Sequence, residues 1–473
     1  MNSTNTANFI SKFWDDSILP SLSEYIRIPC KSINFDENWE KTGDFAAASR
    51  LVGDWILKQG IPGTKVEVLQ IPKRTPVLFV EIPGDAPGTI LFYSHLDKMP
   101  ESTGWDEGLG PWNPVIKDEK LYGRGGVDDG YAPYSAIAAI KALREQGIPH
   151  AKCLFFIEYA EESGSPDFMP YLEKFKDKIG EPNLILVLDN DGADTERLWE
   201  ITSIRGNFSA TLKVSMLSKG AHSGVVSGMV ATPFRILRQL LDRIEDQKTG
   251  KVLLESAHVE IPDFFKDQAK SVAAIIGDKV MEALPLLDGC KALTNSAPDI
   301  LIDTTWRPTL CVTGAEGLPH IKDAGNVLLP FIEVKLSMRM PPRVDMKKVV
   351  AEMKQKLEND APYGAKVDFN MTVDPMIGWD SLSAGGASWV EGAFNDASKT
   401  YFGKDAAFVG TGGSIGPVAI LAEVFPKARM LLTGAGTPDC GAHGPNEFLS
   451  IPLVKKVTCC VAHLLAEHGK NQK

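Results

Sequence analysis

Three short apolar runs, Thr89–Ser94, Cys153–Glu158 and Leu184–Leu188, each stop abruptly at a cluster of ionisable residues. They do not alternate polar with apolar side chains. A strand of that kind is buried on both faces, as in a parallel sheet covered by helices. Amphipathic patterns over residues 8–29, Asp44–Lys58 and 131–145 supply helices, and Lys65–Ile71 and Pro76–Ile82 supply further strands. Strand–helix alternation of this sort predicts an α/β layer whose mostly parallel sheet is flanked by helices.

The pattern changes after Arg205 and Gly206. Phe208–Met216 alternates like a half-exposed strand, Thr232–Ile244 reads as a surface helix, and Val327–Met340, Met346–Leu357 and Val367–Val373 read as strand, helix and strand. From about Gly378 the α/β character returns, with Ala428–Thr433 as a core strand. The expectation is a discontinuous first domain, 1–206 and 379–473, carrying an inserted α+β domain over 207–378. A chain of 473 residues is long enough for two such domains.

Composition narrows the function by exclusion. A net charge of −11 without a dense Lys/Arg stripe disfavours nucleic acid and anionic membranes as partners. The seven cysteines are irregularly spaced and form no CxxC, which suits a reducing compartment. The N-terminal stretch lacks the pattern of a secretory signal, and no apolar run approaches the roughly 20 residues that span a bilayer. The expected location is the cytoplasm.

Five places carry residues able to hold a metal: His95 and Asp97 after the first apolar run; Asp128 and Asp129 after a glycine-rich turn; Glu161 and Glu162 after the second run; Asp189 after the third; and His443 in a C-terminal loop. Each alone has an ordinary reading, as a strand-end turn, a helix cap or a solvated acidic loop. Together they sit where an open α/β sheet binds ligands, beyond the carboxyl ends of its strands. Oxygen and imidazole ligands without thiolate describe a catalytic two-metal site; the mix suits Zn²⁺, and Co²⁺ or Mn²⁺ would also fit.

The motifs SHLDKMP, YGRGGVDDG, EESGS, LDN, GAHSG, SMRMPP, GGS and GAHGPNE occur in this order along nearly the whole chain. As a set they resemble the two-zinc aminoacylase/carboxypeptidase-type hydrolases, which include cytosolic and carnosine dipeptidases, glutamate carboxypeptidase, acetylornithine deacetylase and succinyl-diaminopimelate desuccinylase. The resemblance implies that His95 and Asp189 hold one zinc, Glu162 and His443 the other, and Asp128 both. It implies that Asp97 orients His95, that a cis peptide follows Asp128, and that Glu161 is the general base acting on the metal-bridging water. The insert resembles the family's lid and dimerisation domain. There His222 would steady the oxyanion in the partner subunit's site, and Arg339 would clamp a substrate carboxylate. Asn326, Gly412, Gly413 and Ser414 would make further substrate contacts. Two positions depart from the pattern: Gly130-Tyr131 stands where the family often has Lys-Gly, and Thr411 where relatives often have Glu.

The insert is long, because residues 245–320 add an extra segment, and this resembles the dipeptidase branch. The expected activity is therefore a dipeptidase or carboxypeptidase-like metallopeptidase that cleaves an amide bond beside a free carboxylate, working as a homodimer. An N-acyl-amino-acid deacylase is the alternative, since it would share every zinc residue. A non-catalytic binding relative is a distant third, because all five ligand positions and Glu161 are present.

Overall fold

The computed structural model describes residues 1–277, 279–282, 286–383 and 388–471. The chain divides into two compact units. One comprises 1–202, 381–409 and 415–473; the other comprises 203–380 and 410–414. Relative to the expected boundary, residues 203–206 and 379–380 and the loop 410–414 also belong with the insert. Residues 410–414 go with the insert because the Arg205 backbone N–H donates to Gly413 O and the Arg205 side chain to Gly412 O.

The first unit is built on a sheet ordered Lys65–Leu69, Val77–Ile82, Ala151–Glu158, Ala86–His95, Leu184–Val187, Arg429–Leu432 and Trp199–Ile204. The four strands from Ala151–Glu158 to Arg429–Leu432 are mutually parallel, and the flanking pairings are antiparallel. The sheet is therefore mixed, with a parallel centre. That centre is where the apolar runs lie, and they are buried except at Thr89: every residue of Leu184–Val187 and Arg429–Leu432 is buried. Helices Ala132–Arg144 and Ile451–Asn471 pack in the same core. The parallel strands run in register, so His95 stands opposite Glu158 and the ionisable ends gather at one edge.

The N-terminal amphipathic pattern proves longer than 8–29. It forms helices Ser3–Phe13 and Leu19–Arg27, joined by a π-helical turn over Trp14–Ile18. The expected strand Val327–Met340 is interrupted. Val327–Leu328 and Phe331–Met340 are separate, and Pro330, which has no N–H to donate to a ladder, lies between them.

The second unit is an antiparallel sheet ordered Thr309–Glu316, Phe331–Met340, Gly206–Ser215 and Lys366–Met376. Gly206–Ser215 alternates buried and half-buried residues without a break. Its inward side chains, Phe208, Ala210, Leu212 and Val214, meet helices Pro233–Leu241 and Met346–Glu358. This is the one-sided burial that period-2 patterning anticipates.

Candidate active site

Asp128 lies between two histidines. Its Oδ1 is 3.1 Å from Nε2 of His95, and its Oδ2 is 2.9 Å from Nε2 of His443. Asp189 Oδ2 approaches the same His95 nitrogen at 3.7 Å, and Glu162 Oε2 approaches the His443 nitrogen at 3.2 Å. Two ligand sets result, His95–Asp128–Asp189 and Asp128–Glu162–His443, each with its donor atoms within 4.8 Å of one another. Asp128 belongs to both. A cis peptide joins Asp128 to Asp129.

Asp97 works from behind this constellation. Its backbone oxygen is 3.1 Å, and its Oδ1 3.5 Å, from Nδ1 of His95. The same carboxylate accepts the backbone N–H groups of Glu161 and Glu162, each at 3.1 Å. One buried residue thus holds the histidine, chiefly through its backbone oxygen, and through its carboxylate the turn that presents both glutamates.

The electrostatics favour a cation. Burial raises the carboxyl pKa of Glu161, Glu162 and Asp189 above the usual range. Burial would also raise Asp128, but the hydrogen bonds from His443 and His95 outweigh it and hold that carboxyl low. Burial opposes a proton on His95, yet Asp128, Asp189 and Asp97 together keep its pKa well above the ordinary value. Asp129 is fully buried, and burial raises its carboxyl pKa well above the usual range. So many carboxylates cannot share a dry site as anions without positive charge among them. Imidazole and carboxylate donors in this arrangement fit divalent metal ions.

Several further residues inside the motifs hold the site together, beyond those expected to bind metal or substrate. Lys98 is fully buried. Its ammonium donates to the carbonyls of Tyr25, Ile26 and Ile28, three acceptors at the end of helix Leu19–Arg27. Burial pushes its pKa down to about 7. Arg124 and Glu447 form a buried pair at 2.5 Å. Glu447 also accepts from Gly125 N, and Arg124 donates to Gly444 O, so the glycine-rich turn before Asp128 is tied to the loop bearing His443. A buried lysine or arginine inside a motif is the signal that could have found them, because such a charge needs partners.

In the second unit, His222 is exposed on the short strand Ala221–His222, paired with Val327–Leu328. Asn326 adjoins it, its carbonyl accepting the Ser223 N–H. Arg339 donates to Ser414 Oγ at 2.9 Å, which joins two of the expected substrate contacts; Gly412 and Gly413 are held by Arg205. Neither Arg339 nor Arg205 forms an ion pair among the described residues, so both guanidinium charges stand without a carboxylate.

Residues 91–467 match peptidase family M20/M25/M40. The chain belongs to this family. Among its curated relatives, a cysteinylglycine-S-conjugate dipeptidase of Corynebacterium striatum is 26% identical over 393 residues, covering 82% of each chain. A Beta-Ala-His dipeptidase of Homo sapiens is 27% identical over 376 residues, covering 79% of this chain and 73% of the relative. The solved structure of the dipeptidase Dug1p from Saccharomyces cerevisiae superposes with a TM-score of 0.76 at 23% identity, covering 99% of both chains. Family membership makes the chain a metal-dependent hydrolase of amide bonds, in agreement with the resemblance read from its motifs.

Proposed function

We propose that this protein is a two-metal dipeptidase that cleaves small peptides carrying a free terminal carboxylate. The observation that carries the reading is the sharing of Asp128, whose two oxygens face two separate histidines. The dipeptidase names of its relatives supply the substrate class. Zn²⁺ is the expected ion, with Co²⁺ or Mn²⁺ able to replace it.

His95 and Asp189 would hold one ion, Glu162 and His443 the other, and Asp128 both. Bound there, the ions would polarise a scissile carbonyl and bring the pKa of a water towards neutrality. Glu161 takes the proton of the attacking water on its carboxylate and returns it to the departing amine. The raised pKa that burial gives Glu161 suits a group that must both accept and release a proton. Asp97 keeps His95 and Glu161 in place throughout. His222 would stabilise the oxyanion, and Arg339 would bind the substrate carboxylate with Asn326 and the Gly412–Ser414 loop beside it.

A homodimer fits the second unit. Val225, Met229 and Val327, beside His222, are 68%, 79% and 48% exposed, an apolar surface suited to a second copy. All seven cysteines are free, which suits a reducing compartment such as the cytoplasm. No described helix is long and apolar enough to cross a membrane.

The test is metal content by mass spectrometry beside hydrolysis of a dipeptide panel, before and after chelation. About two equivalents with chelator-sensitive cleavage supports the reading. Two equivalents with turnover only of N-acetyl or N-succinyl amino acids replaces dipeptidase by deacylase. No bound metal, and no activity on adding it, rejects the site.

A further inference from the structure

Gly130 and Tyr131, where the chain departs from its family's usual Lys-Gly, have a structural reason. A Cβ on residue 130 would lie 2.3 Å from Cε1 of Tyr25 and 2.4 Å from the Gly125 carbonyl, so only glycine lets the Tyr25 ring pass. Tyr25 then donates its hydroxyl to Leu96 O at 2.9 Å. Leu96 sits between His95 and Asp97, and its N–H donates to Glu158 O. Both peptide planes around this residue are therefore fixed.

Tyr131 does the same at another strand end. Fully buried, it donates its hydroxyl to Leu188 O and accepts the Ala435 N–H at 2.8 Å. Leu188 O shares a peptide plane with the N–H of Asp189. Ala435 begins the connection towards His443, and the neighbouring Gly436 N–H donates to Asn190 O. One hydroxyl, three residues beyond Asp128, thus ties together the loops of Asp128 and Asp189. The two tyrosines act beside His95 and Asp189, which belong to one ligand set. The side chains of the other set are differently supported: His443 is half-exposed, with its side chain 54% accessible, on a loop where its φ is +63°.

We infer that Tyr25 and Tyr131 are positioning residues for the metal held by His95 and Asp189, each fixing the peptide plane beside a ligand through a buried hydroxyl. This rests on the two-metal reading. Groups behind a metal ligand commonly govern affinity by roughly 10–100-fold. Tyr134 provides the contrast. It is equally buried on the same helix face of the core, yet its hydroxyl meets only Ser21 Oγ, at 3.0 Å.

The experiment titrates metal-free protein with Co²⁺, followed by calorimetry and visible absorption. Wild type is expected to bind two equivalents; fewer overturns the two-metal reading itself. Tyr131→Phe and Tyr25→Phe each remove one oxygen. Each should weaken the equivalent held by His95 and Asp189 by roughly 10–100-fold and alter its d–d band, with a smaller effect on the other, which shares Asp128. Tyr134→Phe should keep both affinities while lowering the melting temperature. If Tyr131→Phe and Tyr25→Phe bind both equivalents like wild type, or if Tyr134→Phe weakens binding as much, the inference fails. Circular dichroism of each metal-free variant confirms folding, and either tyrosine variant alone suffices for the test.

Discussion

Asp97 Oδ1 accepts the backbone N–H of Glu161 at 3.1 Å, while the same residue contacts Nδ1 of His95. A group behind the ligands therefore couples a metal-binding imidazole to the proposed base. In Asp97→Asn the amide keeps one acceptor and turns a donor towards either Glu162 N or His95. Metal affinity should fall roughly 10–100-fold, and turnover should fall further than metal loading alone explains. Equilibrium dialysis beside assays at saturating metal separates the two effects.

Glu161→Gln keeps the shape of the turn and loses the proton acceptor. Its metal content should match wild type, and turnover should drop by roughly 10²–10⁴, the range for general acid–base catalysis. Wild-type turnover in a metal-replete Gln variant would remove Glu161 from the mechanism.

Arg339 is placed by its strand, paired with Asn207 and Thr309, and donates to Ser414. Arg339→Lys keeps the charge but loses the planar fork. A lost charge-assisted hydrogen bond is worth about 1.5–3 kcal/mol. KM for dipeptides should therefore rise tenfold or more (about 1.4 kcal/mol per decade), with less change in kcat. Dipeptide amides, which lack the carboxylate, should show no such difference.

His222 is exposed and surrounded by apolar surface. If it serves the partner's site, His222→Ala and Glu161→Ala homodimers should each be inactive. Mixed dimers should recover about a quarter to a half of wild-type activity, since one site of two regains both groups. No recovery in mixed dimers verified by mass spectrometry confines His222 to its own subunit.

The parallel centre of the sheet was legible because continuous apolar runs have one stable location, and their ionisable ends marked where ligands gather. The antiparallel flanks were not. Trp199–Ile204 is buried like its neighbours, and nothing in its pattern tells direction. The helix Asp263–Ile276 within the extra segment packs on Trp306, whereas the sequence pattern there shows only added length. Among site residues, the acids and histidines announced themselves by type and order. Tyr25, Tyr131 and Lys98 act through single hydroxyls and an ammonium on backbone carbonyls. A sequence does not display which carbonyl a buried side chain will reach. The loop 410–414 illustrates the same limit, since its membership in the second unit depends on where the Arg205 guanidinium points.

The last helix, Ile451–Asn471, contains a further pH-sensitive group away from the metal ligands. His468 is fully buried, with the Trp389 ring edge-on at 5.8 Å, and neither ring nitrogen has a partner among the described residues. Burial lowers its pKa from 6.5 to about 4. The sign follows from linkage. Below pH 6.5 the unfolded chain takes up a proton that the folded chain refuses, so stability is lost as pH falls from about 6.5 to about 4, and no further below. At pH 5 the loss is about 2 kcal/mol, at 1.36 kcal/mol per pKa unit. His468→Leu fills the same apolar space without a titrating group. Acid protonation of the metal ligands acts on both proteins alike, so the informative quantity is a double difference. Urea unfolding of metal-free wild type and His468→Leu at pH 7.5 and pH 5 should show the wild type losing about 2 kcal/mol more than the variant. Equal losses would mean that His468 takes a proton in the folded chain as readily as in the unfolded one.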